Sequence, residues 1–305
     1  MKARGLIVRS AVLAVLAGLA GTHASAASGA GIECSYTQAG KPGLAGNRLD
    51  IRVFGQEEST AVYVKPSGRI RVTDDRRMRN LRCAGRKATV TNIDRVSYKA
   101  VRSAENTNFT LVSPRDLVPG TRSYDHGGSG IAVRVSGKAV SFGTVGTEGD
   151  DEVTAGTIDG LVGLDYGPEP GRQDVEVRIK ADFTTLLNLL KGGNDAFSGG
   201  GSGPFDSAVR SSVTVYGEHG NDFLVGGAAP DIIDGGPGAD NLFGFKGPDL
   251  LFGGPGVDEF DGGGGKDEID AIDNRGEEVE CGPGRDLARI DLSDEDSNCE
   301  FFEYP

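Results

Sequence analysis

The chain has 305 residues, with 45 Asp and Glu against 32 Lys and Arg, and its formal net charge is −13. The charge is uneven, because residues 27–190 carry a balance of +2 and residues 191–305 a balance of −18. Such asymmetry favours at least two units with different chemistry. An acidic half with few aromatic residues excludes nucleic acid as an expected partner, since phosphate backbones are neutralised by Lys and Arg.

The N-terminus has the pattern of a Sec signal peptide. Three basic residues precede the apolar run from Ser10 to Ala20, and Ala24-Ser25-Ala26 is a small-residue cleavage site. The apolar run is shorter than the roughly 20 residues that span a bilayer. We therefore expect a signal peptide over residues 1–26, secretion of the mature chain, and no integral membrane segment after cleavage.

The next part of the chain alternates apolar and polar side chains, a period of two that is typical of half-buried strands. Clusters of Gly, Pro, Asn and Asp separate these segments. The clearest segments are Leu49 to Phe54, Thr60 to Lys65, Arg69 to Thr73, Ala88 to Ile93 and Ile131 to Val135. We expect an all-β protein, with a β-rich N-terminal region over 27–142 and transitional β-strands with a degenerate repeat over 143–190.

From Gly217 onward the sequence repeats every nine residues, and an internal repeat is stronger evidence for architecture than local propensity. The sixth position is Asp in all six units: Asp222, Asp231, Asp240, Asp249, Asp258 and Asp267. The eighth position is always apolar: Leu224, Ile233, Leu242, Leu251, Phe260 and Ile269. Neither a flexible Gly-rich linker nor a disordered acidic tail predicts this fixed spacing.

Weaker copies of the repeat flank this stretch. Asp195 precedes Asp222 by three nine-residue steps, but Val213 occupies one of the slots between them. We therefore expect Asp195 to have no in-register partner. A fainter copy at 146–153 is out of register by one residue, and the pattern recurs once at 281–287.

The repeat units predict a coil. Gly tolerates the positive φ that tight turns need, and the last three residues of each unit can form a short strand with its central apolar side chain inward. Two units then make one turn of the coil, so that successive coils stack their strands in parallel. Residues 224, 242 and 260 would form one buried row, and residues 233, 251 and 269 the other.

These units resemble the hemolysin-type, or RTX, calcium-binding repeats, whose unit is Gly-Gly-x-Gly-x-Asp-x-apolar-x. Three units, which begin at 235, 253 and 262, match this pattern without exception. Glu218, Ala229 and Phe245 stand where the family has Gly. The resemblance implies a parallel β-roll, or β-solenoid, of calcium-binding nonapeptide repeats over residues 191–270.

Stacked turns lined with Asp would repel one another, so a cation is needed. Ca²⁺ suits carboxylates and turn carbonyls because it takes six to eight oxygen ligands in flexible geometry, whereas zinc would require Cys or His. The resemblance implies that each Ca²⁺ lies between two turns whose Asp residues are 18 positions apart, and about four complete sites are expected. The expected ligands are Asp222, Asp231, Asp240, Asp249, Asp258 and Asp267, with the carbonyls of Gly235, Gly236, Gly238, Gly253, Gly254 and Gly256.

Residues 271–305 are predicted to form a C-terminal cap. Four cysteines in an exported chain suggest two disulfides, for which three connectivities exist. Proximity in sequence favours Cys34 with Cys83 and Cys281 with Cys299, and the second bond would close the end of the solenoid. An EF-hand at 291–300 is excluded, because Cys299 and Pro305 stand where that loop needs Gly and Glu.

The sequence leaves open whether residues 27–190 form a separate sandwich clamped by a disulfide or continue the solenoid toward the N-terminus. We slightly favour a separate unit that ends near residue 142.

No catalytic site is predicted. The mature chain has two histidines, His126 and His219, and lacks both the Gly-x-Ser-x-Gly and the His-Glu-x-x-His motifs. We expect a non-enzymatic structural, adhesive or surface module, with a cell-surface or extracellular polysaccharide or protein as its partner. The alternative is an extracellular carbohydrate-active enzyme with a calcium-stabilised β-solenoid, since an Asp/Glu pair could act on polysaccharide.

Overall fold

A computed structural model describes residues 31–37, 47–54, 58–65, 67, 69–75, 79–81, 83, 95–100, 107–112, 132–158, 161–165, 177–201 and 207–304. The predicted signal peptide, the predicted strand at 88–93 and His126 lie outside these residues. Within the described ranges, no helix has the length and apolar character needed to cross a membrane.

All regular elements in the described residues are β-strands, which confirms the predicted all-β fold class. Those of the first half are β1 (Gly31–Thr37), β2 (Arg48–Phe54), β3 (Ser59–Val64), β4 (Ile70–Asp74), β5 (Arg79–Asn80), β6 (Arg95–Ala100), β7 (Thr107–Val112), β8 (Ala132–Val145), β9 (Glu152–Ile158), β10 (Leu161–Asp165), β11 (Val177–Gly192) and β12 (Ala196–Ser198). Those of the second half are β13 (Ser212–His219), β14 (Phe223–Val225), β15 (Ile232–Asp234), β16 (Asn241–Phe243), β17 (Leu250–Phe252), β18 (Glu259–Asp261), β19 (Glu268–Asp270), β20 (Glu278–Glu280), β21 (Leu287–Arg289), β22 (Glu295–Ser297) and β23 (Phe301–Glu303).

Two long parallel ladders organise these strands. The first ladder contains β3, β7, the second halves of β8 and β11, and then β13, β15, β17, β19, β21 and β23. The second ladder contains β9, β12, β14, β16, β18, β20 and β22. Antiparallel β10 joins β9 to the first half of β11, which continues through β8 and β6 to β2.

The repeat stretch forms the predicted β-roll. Each three-residue strand pairs in parallel with the strand 18 residues further on, so that Leu224 lies opposite Leu242 and Ile233 opposite Leu251. The eighth residue of every unit points into the interior and is at most 1% exposed. The two predicted apolar rows are therefore confirmed, one in each ladder.

The strand pairing continues without a break through residue 142. β8 crosses this position, and it pairs with β6 and β7 on one side and with β11 on the other. Tyr98 and Phe109 stack at 4.4 Å between ring centroids, and Phe142 packs against Phe109. The strand pairing thus does not divide the chain at residue 142, and the domain boundaries given above stay a prediction.

Both predicted disulfides are present. Cys34 in β1 bonds to Cys83, and Cys281, directly after β20, bonds to Cys299. The Cα–Cα distances are 4.6 Å and 5.0 Å. The second bond joins the last two coils, which is the place predicted for a closure of the solenoid end.

Candidate metal sites

The Asp residues of the repeat turns stack into two columns, one before the strands of each ladder. All six side chains are buried, with 1–3% of their surface exposed. In each column, the backbone N–H of one Asp donates to Oδ1 of the Asp one coil further on. These bonds are Asp222 to Asp240 at 2.8 Å, Asp240 to Asp258 at 2.9 Å, Asp231 to Asp249 at 2.8 Å and Asp249 to Asp267 at 2.8 Å.

The other carboxylate oxygen is the unusual feature of the columns. Among the described residues, Oδ2 is buried and has no hydrogen-bond partner in Asp195, Asp222, Asp240, Asp249, Asp267 and Asp286. A buried anionic oxygen without a donor is costly, because it loses water and gains nothing in return. A hard cation would offset this loss, and Ca²⁺ prefers such oxygens. The columns therefore fit the metal that the sequence predicted.

Glycine at the first position of a unit makes room for these oxygens. A Cβ on Gly226 would lie 2.6 Å from Oδ2 of Asp231 and 2.6 Å from the carbonyl oxygen of Gly244, one coil further on. A Cβ on Gly244 would meet Asp249 and Gly262 in the same way. A carboxylate oxygen and a carbonyl oxygen from adjacent coils thus converge on the same Gly, where any side chain would displace them.

Glycine at the second position of a unit allows the backbone conformation that the turn requires. Gly236 and Gly254 have φ of 97° and 95°, a region that residues with a Cβ rarely adopt. A Cβ on Gly254 would also overlap the carbonyl oxygen of Gly236 in the preceding coil. The two non-glycine residues at this position, Glu218 and Phe245, take the same conformation, each with φ of 73°.

The electrostatics of the columns follow from burial. Burial, together with the carboxylates of neighbouring coils, raises the pKa of Asp240 to about 7 and that of Asp249 to about 8. The backbone N–H that each Oδ1 accepts lowers the same pKa values and offsets part of this effect. Burial also raises the pKa of Asp231, Asp258 and Asp267 to about 6. Protons and cations should therefore compete for these carboxylates near neutral pH.

The prediction that Asp195 has no in-register partner is wrong. β12 pairs with β14, with Phe197 opposite Leu224, and the N–H of Asp195 donates to Oδ1 of Asp222 at 2.8 Å. The spacing between these two Asp residues is 27 rather than 18, because the coil between them is larger and contains the eight-residue β13. Counting in steps of nine therefore missed the contact between Asp195 and Asp222, because these residues are neighbours in the column although their coil is longer.

Both columns extend beyond the six predicted residues. The N–H of Asp151, in the faint copy of the repeat, donates to Oδ1 of Asp195 at 2.7 Å. At the other end, the N–H of Asp267 donates to Oδ1 of Asp286 at 2.8 Å. Asp151, Asp195 and Asp286 are thus functional candidates that the sequence hinted at through its weaker copies without showing their contacts.

The unit that begins at Gly226 differs from the others. Val213 precedes Asp231 in its column and donates its N–H to Oδ1 of Asp231 at 2.6 Å. Oδ2 of Asp231 accepts the N–H of Gly227, so it is not free in the way its neighbours are. Ala229 and Pro230 occupy this turn. Asp231 is therefore the repeat carboxylate least available to a cation.

The predicted glycine carbonyls differ in their surroundings. The carbonyl of Gly235 lies beside Oδ2 of Asp222, 2.6 Å from where a Cβ on Gly217 would be, as a shared ligand set requires. The carbonyl of Gly253 instead accepts the N–H of Gly236 at 2.9 Å. The carbonyls of Gly236 and Gly238 face Gly254 and Gly256 in the next coil. The sequence did not single out the carbonyls of Gly244 and Gly262.

Comparison with known proteins agrees with this geometry. Residues 216–244 and 234–269 match the family model of the RTX calcium-binding nonapeptide repeat, with four copies. Comparison with curated proteins and with solved structures gave no match. The family match covers the regular coils, and the N-terminal strands and the cap lie outside it.

Proposed function

We propose that this chain, which carries RTX calcium-binding nonapeptide repeats over residues 216–269, is a secreted, non-enzymatic structural protein whose coils fold when Ca²⁺ binds. The repeats make the chain a calcium-binding repeat protein. The observation that carries the rest is the pair of carboxylate columns, in which the buried Oδ2 atoms of Asp222, Asp240, Asp249 and Asp267 lack donors within the described ranges. A fold that buries anions in this way needs a cation to be stable.

Each Ca²⁺ would be held between two stacked turns. Its ligands would be the carboxylates of two Asp residues one coil apart and the glycine carbonyls beside them. The proposed complete sites use the pairs Asp222/Asp240, Asp231/Asp249, Asp240/Asp258 and Asp249/Asp267. The weakest of them should be Asp231/Asp249, because Oδ2 of Asp231 already accepts the N–H of Gly227. Asp195 and Asp286 extend the columns and offer a further partial site at each end.

Calcium would supply folding free energy that the side chains do not. Residues 191–305 carry a charge balance of −18, and each repeat strand buries one apolar side chain. Such a segment fails to offset its chain entropy unless a ligand is bound. Extracellular calcium modules commonly bind with Kd of ~10⁻⁴ to 10⁻³ M. We therefore propose that the chain leaves the cell unfolded in this region and orders outside.

The proposed partner is a cell-surface or extracellular polysaccharide or protein. No observation on the described residues favours the carbohydrate-active alternative. A rigid solenoid that forms at extracellular calcium levels suits adhesion or a surface layer. Retention of the mature chain on cell envelopes, compared in Ca²⁺ and in chelator, tests this role.

The ligand assignment is tested by calcium counting. Asp240→Asn and Asp249→Asn each remove a carboxylate shared by two proposed sites. We expect each variant of the mature chain to lose up to two bound ions in equilibrium dialysis, because calcium affinity depends on the number of charged ligands. The control is Glu259→Gln, which removes an exposed carboxylate next to Asp258. Equal calcium binding in all three variants would refute the pairing scheme.

A further inference from the structure

A second carboxylate cluster lies in the last coils, outside the nonapeptide units. Asp273, Glu277 and Asp291 each place a carboxylate oxygen within 4.8 Å of the others. Glu277 and Asp291 are 2% and 6% exposed, and Asp273 is partly exposed. The family match ends at residue 269, so the repeat pattern assigns none of the three.

Glu277 is the member of the cluster whose buried carboxylate has no hydrogen-bond donor in the described part of the chain. Both of its carboxylate oxygens are buried, and neither has a hydrogen-bond partner among the described residues. The side chain is directed at the other two carboxylates, as the mutual distances show. A buried glutamate with two donorless oxygens is unfavourable unless a cation or a proton satisfies it.

The sequence explains how Glu277 reaches this position. β20 pairs with β18, with Val279 opposite Phe260, so Glu277 occupies the slot that Asp258 holds one coil earlier. The spacing here is 19 residues instead of 18, because the unit that begins at Ala271 is one residue longer than a repeat. Both the extra residue and the longer side chain set this turn apart from the regular ones.

The other two carboxylates are held in place by backbone donors. Asp273 accepts the N–H of Gly256 at 2.9 Å through Oδ2 and that of Arg275 at 2.9 Å through Oδ1. Asp291 accepts the N–H of Ser293 at 2.9 Å and that of Asn274. These bonds fix both carboxylates without neutralising them.

The charge near the cluster is negative. Arg275 is a basic neighbour, with Nε 3.6 Å from Oδ2 of Asp273, but 60% of its side chain is exposed. Asp294 adds a fourth carboxylate, since its Oδ1 accepts the N–H of Glu277 at 3.3 Å and its Oδ2 the N–H of Asp291 at 2.7 Å. An exposed guanidinium at this distance contributes little against several carboxylates.

We propose that Asp273, Glu277 and Asp291 bind a further Ca²⁺ ion, which holds the last coil of the solenoid in place. All ligands are carboxylate oxygens, which suits Ca²⁺. Zinc would favour Cys or His, and the nearby Cys281 is engaged in its disulfide. The site uses no residue of the regular repeat units, so it stands or fails separately from the proposed function.

The position of the ion gives it a mechanical role. Asp291 belongs to the final coil, whereas Asp273 and Glu277 belong to the coil before it. The apolar row ends here, because exposed Asp296 lies opposite Val279. With no apolar side chain at that slot, the ion and the Cys281–Cys299 bond together would attach the final coil.

Equilibrium dialysis of the folded mature chain with Ca²⁺ alone tests the proposal. Glu277→Gln should lose one bound ion relative to the wild-type chain, whereas Glu278→Gln, which changes an exposed neighbour, should lose none. In hydrogen exchange, Ca²⁺ should protect residues 291–297 in the wild type and in Glu278→Gln, and should fail to do so in Glu277→Gln. Unchanged ion counts and protection in Glu277→Gln would overturn the proposal.

A second variant guards against loss of folding. If Glu277→Gln alters the far-UV circular dichroism spectrum, Asp273→Asn is measured instead, since it keeps the shape of a partly exposed side chain, and the same loss of one ion is expected. Failure of the repeat sites is seen separately in Asp240→Asn. A chain that loses one ion in Glu277→Gln and none in Asp240→Asn would support the cap site and refute the repeat sites.

Discussion

The N-terminal strands and the repeat coils form parallel ladders of the same kind from different side chains. β8 and β11 are 14 and 16 residues long, and Phe142 of β8 continues an aromatic cluster with Tyr98 and Phe109. The repeat strands have three residues, of which one is buried. The N-terminal part has almost balanced charge, whereas the repeat and cap part is strongly acidic.

The two regions therefore differ in the interactions that stabilise them. Long strands with aromatic side chains bury enough apolar surface to favour folding without a ligand. A repeat unit fixes nine residues in order to bury one apolar side chain, and it also buries a carboxylate. The proposed function therefore makes its fold dependent on a cation in the turn. The comparison predicts that the two regions respond differently to calcium, to mutation of the core and to pH.

Removal of calcium should have the largest effect. We expect the amides of residues 217–270 to be protected from hydrogen exchange in millimolar Ca²⁺ and to exchange rapidly after chelation, because metal binding supplies the folding free energy of these coils. The amides of β8 and β11 should stay protected in both conditions. Hydrogen exchange with mass spectrometry on the mature chain measures both regions in one experiment.

Circular dichroism of residues 191–305 is the complementary measurement. A sheet spectrum and a melting point that chelation leaves unchanged would contradict the dependence on calcium. Loss of protection in β8 together with the repeats would show instead that the whole ladder unfolds as one unit.

Core substitutions should affect the two regions differently. In Ca²⁺, Leu242→Ala should lower the free energy of unfolding by about 2–5 kcal/mol and Phe109→Ala by about 3–5 kcal/mol, as buried side chains do. Both side chains are fully buried. In chelator, Phe109→Ala should keep its effect, whereas Leu242→Ala should have none, because the repeat coils are then already unfolded. Urea unfolding with and without Ca²⁺ measures both changes. An equal loss of unfolding free energy in Leu242→Ala in both conditions would contradict the proposed dependence of the repeat coils on calcium.

The regular part of this fold was predictable because its period is fixed. A nine-residue repeat determines which side chains share a row, so the apolar rows at Leu224 and Ile233 and the stacked turns follow from the sequence. The pairing of β6, β7 and β8 did not follow, because alternation marks a strand without naming its partner. Only the structure shows that the ladder passes through residue 142.

The candidate sites were predictable to the same degree. The six repeat Asp residues could be located from spacing, and the structure brings them together in two columns. Asp195 and Glu277 were misjudged or missed because their coils have 27 and 19 residues instead of 18. When a coil is longer, the spacing between two carboxylates in the sequence changes, although both still lie in the same column of the structure.

Acidity should act oppositely on the calcium-free and calcium-bound repeats. The folded pKa values of Asp240 and Asp249 are raised by burial to about 7 and about 8, above the usual value of about 4 in an unfolded chain. Calcium-free coils, which we expect to be unfolded at neutral pH, should therefore be least unstable below about pH 4 and become less stable as pH rises to about 8. Calcium affinity should rise over the same interval, since binding needs the ionised carboxylates.

Far-UV circular dichroism of residues 191–305 in calcium-free buffer across this interval, with calcium titrations at each pH, measures the two trends. The double variant Asp240→Asn, Asp249→Asn should flatten both slopes, and the exposed-site variant Glu259→Gln should leave them unchanged. A calcium-free sheet signal that rises with pH would contradict the assignment.

The smallest expected effect concerns a unit that departs from the repeat. Phe245 has φ of 73° where most units have Gly, and a residue with a Cβ loses about 1–2 kcal/mol in this left-handed region. Its ring is 40% exposed, and Nζ of Lys246 lies 5.3 Å from the ring centroid, a contact worth about 0.5–1 kcal/mol at exposed sites. Phe245→Gly should therefore stabilise the calcium-bound chain by less than about 1 kcal/mol, because Gly also gains entropy in the unfolded chain.

In a Lys246→Ala background the ring contact is already absent, so the same substitution should stabilise the chain more. Urea unfolding of the four chains in Ca²⁺ separates the two contributions, and destabilisation by Phe245→Gly in both backgrounds would show that the ring matters more to this coil than its backbone strain.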